Sequence, residues 1–361
     1  MKKLVIIILI ALISFPNFYI VAPKKEELPP YFSWRNVNGI DYTTPARNQE
    51  PCPSCEAYAL VAIVETLVQY KVGYPFGCDL SEAHLFFCSG GTCKWGVDIK
   101  KAADYLVKYG VPDEGCFPEM HRKYDLPCNL TLPDWQNRSV KVKEWGWVEN
   151  NPESIKKALI EYGPVAACIY IWKDFYYYHG GIYRHRWGRL VGGHVIAIMG
   201  YNDTARYWIC KNSWGRNWGE DGWFKVSYDA NIFIKHCYGG TGIMYLDGVY
   251  GNLMPDVPKV YIEEPKRYHT YFFGHEFPSI FGRVFIQNGV PRIIGWANVE
   301  INASNTAKVE FYIDDELKYV DEMPPFEWKM YAPFGLHELK VMAYASNGNK
   351  SWAGIDFFSL L

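Results

Sequence analysis

Lys211-Asn212-Ser213-Trp214-Gly215-Arg216-Asn217-Trp218-Gly219-Glu220-Asp221-Gly222-Trp223 is the stretch whose reading decides the fold. A strand-like run, Arg206–Lys211, precedes it, and a second, Trp223–Tyr228, follows. Asn212 therefore ends a strand. A side-chain amide oxygen there can accept a histidine ring N–H and fix the ring's orientation. Trp214 and Trp218 shield such a bond from water, which strengthens it. By itself the segment could equally be a packed hairpin, so its meaning depends on what lies upstream.

The histidine lies 18 residues upstream, in Gly192-Gly193-His194-Val195-Ile196-Ala197-Ile198-Met199-Gly200-Tyr201. His194 opens an apolar strand, and the two glycines before it allow another chain to come close. The third segment is Gln49-Glu50-Pro51-Cys52-Pro53-Ser54-Cys55-Glu56-Ala57-Tyr58. Cys55 begins a run to Tyr70 that is apolar except at Glu56, Glu65, Thr66 and Gln69, too long for a strand and read as a buried helix. A helix N-terminus favours an anion and lowers a thiol pKa. Cys55 is therefore expected to be a thiolate paired with an imidazolium at His194, each stabilising the other's charge. Gln49, on the approach loop, can aim its N–H at a developing oxyanion beside the Cys55 backbone N–H. Cys52-x-x-Cys55 taken alone also fits a redox pair or half a zinc site, but no second close pair with suitable histidines completes one.

The rest of the chain sets limits. The 361 residues carry a charge of 37 − 39 = −2, with 21% charged and 49% hydrophobic residues, which excludes broad disorder. The near-zero charge gives no basic stripe, so no nucleic-acid partner is expected. Lys2 and Lys3 precede an apolar run from Leu4 to Ile13, so residues 1–22 read as a signal peptide or signal anchor. The protein is therefore expected outside the cytoplasm, secreted or anchored to the membrane by that segment. Asn129, Asn137, Asn202, Asn302 and Asn349 sit in N-x-[ST] sequons compatible with export.

Residues 23–30 form a polar linker, and 31–250 an α+β domain. Further helices are predicted over Val97–Tyr109 and Ser154–Tyr162, and further strands over Val165–Ile171 and Val195–Tyr201. Residues 247–258, with Gly and Pro, mark a boundary. Beyond it, residues 259–361 show regularly spaced strand patterns: Val260–Glu263, Arg283–Gln287, Ala297–Ile301, Lys308–Ile313, Glu316–Val320, Phe326–Tyr331, Glu338–Tyr344 and Trp352–Phe358. These predict an all-β sandwich. The stretch from Val309 through Asn349 resembles the immunoglobulin-like modules of exported microbial enzymes. Its histidines, His269, His275 and His337, are scattered and form no catalytic cluster. A cell-surface or protein ligand is the corresponding expectation for this module.

Together, the three segments resemble those of the papain family of cysteine peptidases, over roughly Tyr31–Leu246. The K-N-S-W-G-x-x-W-G-E-x-G-[WYF] run is the most specific part of the likeness, and Glu65 matches a buried helix glutamate. The resemblance implies a two-lobed fold, with a helical lobe built on Cys55 and a strand lobe carrying His194 and Asn212. It implies Cys55, His194, Asn212 and Gln49 as catalytic residues, polypeptide substrates in an extended cleft, and no metal or cofactor. The absence of an insertion plugging the cleft favours an endopeptidase. Gly96, Trp95, Val195, Cys168, Gly193 and Trp214 are the implied substrate-binding set. Val195 and Cys168 would line an apolar pocket for the second residue upstream of the cleaved bond.

The sequence also departs from the family pattern. Pro53 replaces a glycine, Glu56 replaces an aromatic residue, Trp95 stands where a glycine is usual, and Gly193 replaces Asn or Asp. An ionised Glu56 beside Cys55 would disfavour the thiolate. These changes support an alternative: a catalytically impaired homologue that binds peptides or surfaces. Family members carry a long inhibitory pro-segment, whereas about ten residues separate the apolar start from Tyr31. Latency is therefore expected from the anchor, the β module or Trp95.

The ten cysteines lie between Cys52 and Cys237, none in the last 124 residues. If Cys55 is the nucleophile, nine remain, and at least one more is unpaired unless it bridges two chains. The resemblance implies disulfides Cys52–Cys93 and Cys88–Cys128. The family's right-lobe bridge reads as absent, because Cys237 has no cysteine in the loop before His194 to meet. Cys168 and Cys210 read as buried mid-strand, and Cys78 and Cys116 are left as candidates for a pair.

Overall fold

The computed structural model describes residues 28–118, 125–266, 269–277 and 290–360. The signal or anchor segment, most of the 23–30 linker and the expected strand Arg283–Gln287 lie outside the described residues. Among the described residues, no helix is long and apolar enough to cross a membrane.

The long helix α1 spans Cys55–Val72 and stops at Gly73, whose φ of 93° is left-handed backbone suited to glycine. It is apolar nearly all round and is accordingly buried nearly all round. Helices α2 (Glu82–Cys88), α3 (Ile99–Lys108) and α4 (Pro152–Glu161) are amphipathic or short. Asp98 and Asn151 cap α3 and α4 by accepting from Lys100 N and Ser154 N.

The first sheet contains β1 (Tyr31–Ser33), β2 (Val140–Trp147), β3 (Val165–Trp172), β4 (Ile182–Tyr183), β5 (Leu190–Asn202), β6 (Tyr207–Lys211), β7 (Trp223–Ser227) and β8 (Ile243–Gly251). Its order is β2-β8-β3-β5-β6-β7-β4, with β1 on β5. Antiparallel register sets Cys168 opposite Val195 and Ile169 opposite His194. One core joins α1, including Ala59, Ala62 and Ile63, to Val195, Ala197 and Met199 of β5. The other includes Ile155 and Leu159 of α4, Phe175, and Ile196 and Ile198 from the opposite face of β5. The strand that carries His194 is thus held from both sides.

The chain leaves this sheet at Gly251 and enters the β module at Lys259, so the boundary falls within the expected 247–258. The module contains β9 (Lys259–Glu264), β10 (Thr270–Phe272), β11 (His275–Phe277), β12 (Arg292–Ile294), β13 (Ala297–Ser304), β14 (Lys308–Ile313), β15 (Glu316–Asp321), β16 (Phe326–Met330), β17 (Gly335–Tyr344) and β18 (Lys350–Ser359). A seven-stranded sheet and a three-stranded sheet share one core, in which Val299 and Phe326 meet Phe311, Val341 and Phe357. Alternating burial along β13 and β14 fits sheets covered on one face.

The module packs on the helical lobe. Trp352 and Met342 join Ala83, Cys116 and Phe117 in a small core. Buried Arg138 pairs with Asp113 and donates to Lys350 O (2.8 Å) and Ser351 Oγ (3.1 Å). Tyr261 donates to Asp79, which also receives Arg47.

Disulfides join Cys52 to Cys93 and Cys88 to Cys128, bracing the helical lobe. A third, Cys168–Cys237, corrects the reading of Cys168 as a merely buried strand cysteine. The partner of Cys237 is on β3, not in the loop before His194. Cys78 and Cys116 are both free and buried, so that expected pair does not form, and Cys55 and Cys210 are free as well.

Candidate active site

Cys55 is the first residue of α1, with its side chain against β5. The Val195 backbone N–H hydrogen-bonds to its sulfur, which ties Cys55 to the residue next to His194. The sulfur is also 3.5 Å from Glu56 Oε2 and donates to it. Glu56 Oε1 accepts from the Tyr238 hydroxyl. Burial pushes the Cys55 thiol well above its ordinary value, and the Glu56 carboxylate pushes it further. Both effects work against the expected helix-stabilised thiolate. Desolvation and a neighbouring anion both oppose ionisation here and outweigh the helix N-terminus. Glu56 is itself raised by burial, against the hydrogen bonds from Tyr238 and Cys55.

His194 is buried at the strand-lobe side. Its Nε2–H donates to Asn212 Oδ1 across 2.8 Å, and Ser213 N–H donates to the same oxygen, also at 2.8 Å. With Nε2 used, Nδ1 is the nitrogen left for proton transfer. Trp214 lies 5.1 Å from the imidazole, and Trp218 meets Trp214 edge-on at 5.1 Å. Burial pushes His194 down to about 4, with Asn212 opposing. Burial thus opposes charge on both groups, the thiol of Cys55 and the imidazole of His194, and works against the expected ion pair.

Asn212 is held by what precedes it. Lys211 is buried and donates to Thr44 Oγ1 (2.8 Å), which donates to Glu65 (2.5 Å). Glu65 also accepts from Leu80 N at 2.9 Å. The network links α1 to β6 across the lobes. Burial lowers Lys211 and raises Glu65, while each one's charge opposes the shift in the other. Removing one partner would leave a buried charge unpaired, the costly way to break such a pair.

Gln49 reaches the site from the approach loop. Its backbone N–H donates to Ser213 O (2.8 Å), and the Ser213 hydroxyl donates to Gln49 Oε1 (2.6 Å). That bond fixes the amide's orientation and turns Nε2 towards Cys52 O, 3.3 Å away. A donor so preoriented can serve a developing oxyanion.

The implied substrate-binding residues are differently placed. Trp95 is 80% exposed. Gly96 has φ +76°, but its N–H and C=O both bond to Thr92, so its N–H is already used within the loop. Gly193 is exposed, and Val195 is buried against Cys55. Cys168 is 1% exposed and bonded to Cys237, so it presents a disulfide rather than a thiol and is closed to a substrate side chain.

Sequence reasoning missed Ser213 and Tyr238. Ser213 could have been noticed as the neighbour of Asn212. Tyr238 had no local signal, since it lies 182 residues from Glu56 and meets it only through the fold.

A model of the papain family cysteine proteases matches residues 28–245. Fruit bromelain from Ananas comosus is 31% identical over 206 residues, covering 55% of this chain and 55% of that protein. Cathepsin B-like CP3 from Giardia intestinalis is 31% identical, covering 50% of this chain and 62% of that protein. This chain thus spans less than two thirds of either relative. The solved structure of the bromelain protease from Ananas comosus in complex with the E64 inhibitor superposes with a TM-score of 0.50 and 27% identity. It covers 61% of this chain and 99% of that chain.

Proposed function

Because the chain belongs to the papain family of cysteine proteases, we propose that it is a cysteine peptidase that hydrolyses peptide bonds through Cys55, His194, Asn212 and Gln49. The carrying observation is the buried 2.8 Å bond from His194 to Asn212, on the strand whose Val195 N–H reaches Cys55. Cys55 passes its proton to His194 and attacks the peptide carbonyl. Gln49 Nε2–H and the Cys55 N–H hold the oxyanion. His194 protonates the leaving amine, then takes a proton from water as water attacks the thioester, freeing the sulfur. Asn212 keeps the ring oriented throughout.

The substrates in this reading are extended polypeptides cut internally. The three disulfides fit an oxidising compartment outside the cytoplasm, with the protein secreted or held at a membrane by its N-terminal segment. The β module is read as immunoglobulin-like, with a cell-surface or protein ligand. A second reading, an impaired homologue that binds peptides, is favoured by one observation: the Glu56 carboxylate 3.5 Å from the Cys55 sulfur, which opposes the thiolate.

An epoxide that traps reactive thiolates separates the two. In the peptidase reading it alkylates Cys55 in step with loss of proteolysis. If Cys55 reacts no faster than a generic exposed thiol, the impaired reading replaces it.

A further inference from the structure

We propose that Glu56 is an acid-sensitive brake on the Cys55 nucleophile, kept in place by Tyr238. This rests on the reading of Cys55 as the nucleophile and names a control that the reading leaves unassigned.

The geometry is specific. Glu56 is 5% exposed, with one carboxylate oxygen 3.5 Å from the Cys55 sulfur and the other accepting from the Tyr238 hydroxyl. Ionising Cys55 would place two anions side by side, so a charged Glu56 holds the thiol protonated. Tyr238 is fixed by its neighbour Cys237, whose disulfide ties the loop to β3, and by the Cys237–Gly240 backbone bonds. Another ionisable group that acts on Glu56 is Asp98, the cap of α3, and His194 lies on β5 next to Val195. The Val195 N–H faces the sulfur from the same strand.

The brake acts on one member of the dyad. His194 is governed by burial and by Asn212, whereas Glu56 bears on the sulfur. Its charge lies 3.5 Å from the sulfur and so opposes the thiolate directly. As pH falls, Glu56 takes a proton from solvent and its charge disappears. Cys55 can then pass its proton to His194 Nδ1, the electron pair staying on sulfur. Burial raises Glu56, so release occurs above the ordinary carboxylate range. The Tyr238 hydroxyl favours the charged form and moves release to lower pH.

The test is the rate at which iodoacetamide labels Cys55, followed by peptide mass between about pH 4 and 8, a span that brackets the ordinary carboxylate and imidazole ranges. Wild type should show a component of labelling that rises as pH falls. Glu56→Gln keeps an acceptor for Tyr238 but not the charge. It should lose that component and label about tenfold faster or more at neutral pH, equivalent to one pKa unit or more. Tyr238→Phe should move the component to higher pH, and it decides the matter alone if Glu56→Gln does not fold. Wild-type rates in folded Glu56→Gln, or an unmoved component in Tyr238→Phe, overturn the proposal. Labelling needs no substrate, so it judges Glu56 even if cleavage proves independent of Cys55.

Discussion

On the strand side of the cleft, His194 sits under Trp214 and donates to Asn212, while Lys211, Thr44 and Glu65 anchor the strand end. On the helix side, Cys55 stands at the start of α1 with a carboxylate 3.5 Å from its sulfur. On the strand side, His194, Lys211, Thr44 and Glu65 each have a hydrogen-bond partner or an opposite charge. The helix side places a potential anion beside the atom that must become one. In the proposed dyad, the comparison assigns the two halves separate controls, the histidine by orientation and the cysteine by local charge.

The largest effect expected from the strand side is that of Asn212→Ala. It leaves the His194 Nε2–H buried without its acceptor and frees the ring to turn. The expected loss is on the order of 10²-fold in kcat, the lower end of what a well-placed acid–base group contributes, with KM little changed. Steady-state kinetics on a peptide substrate checks this. A loss confined to KM would mean that Asn212 shapes substrate binding and not the histidine, and the contrast between the two sides would fail.

Ser213→Ala is a smaller perturbation. It removes the donor to Gln49 Oε1 while Gln49 remains. An acceptor left without its partner costs about 1–3 kcal/mol, and only part of that should reach the transition state. We expect about a tenfold fall in kcat/KM, with the pH profile of Cys55 labelling unmoved. That profile should respond to Glu56 and Tyr238 alone, so a shift in Ser213→Ala would merge the two sides into one network.

Much of this was legible in sequence because the reacting residues lie in short, distinctive segments. Asn212 follows a strand and is flanked by Trp and Gly, His194 opens an apolar strand, and Cys55 starts a helix too long and apolar to be anything else. Such local features single out the candidate residues before the lobes meet. The paths that failed are nonlocal. Cys168 and Cys237 are 69 residues apart, and Cys237 lies on an irregular loop, so no periodicity pointed to their bond. Strand β2 pairs with β8 about a hundred residues later, and α2, at seven residues, is too short to show a helical period. Much of what opposes the Cys55 thiolate is nonlocal too. The helix N-terminus is visible in sequence, but burial and the Tyr238 contact that holds Glu56 beside the sulfur arise only in the folded chain.

The most direct measurement of the central claim is cleavage of a denatured protein by the intact chain beside its Cys55→Ala variant, both shown to be folded, with products identified by mass. The account predicts internal peptide-bond cleavage by the wild type and none above background by the variant. Equal cleavage by the two would contradict it.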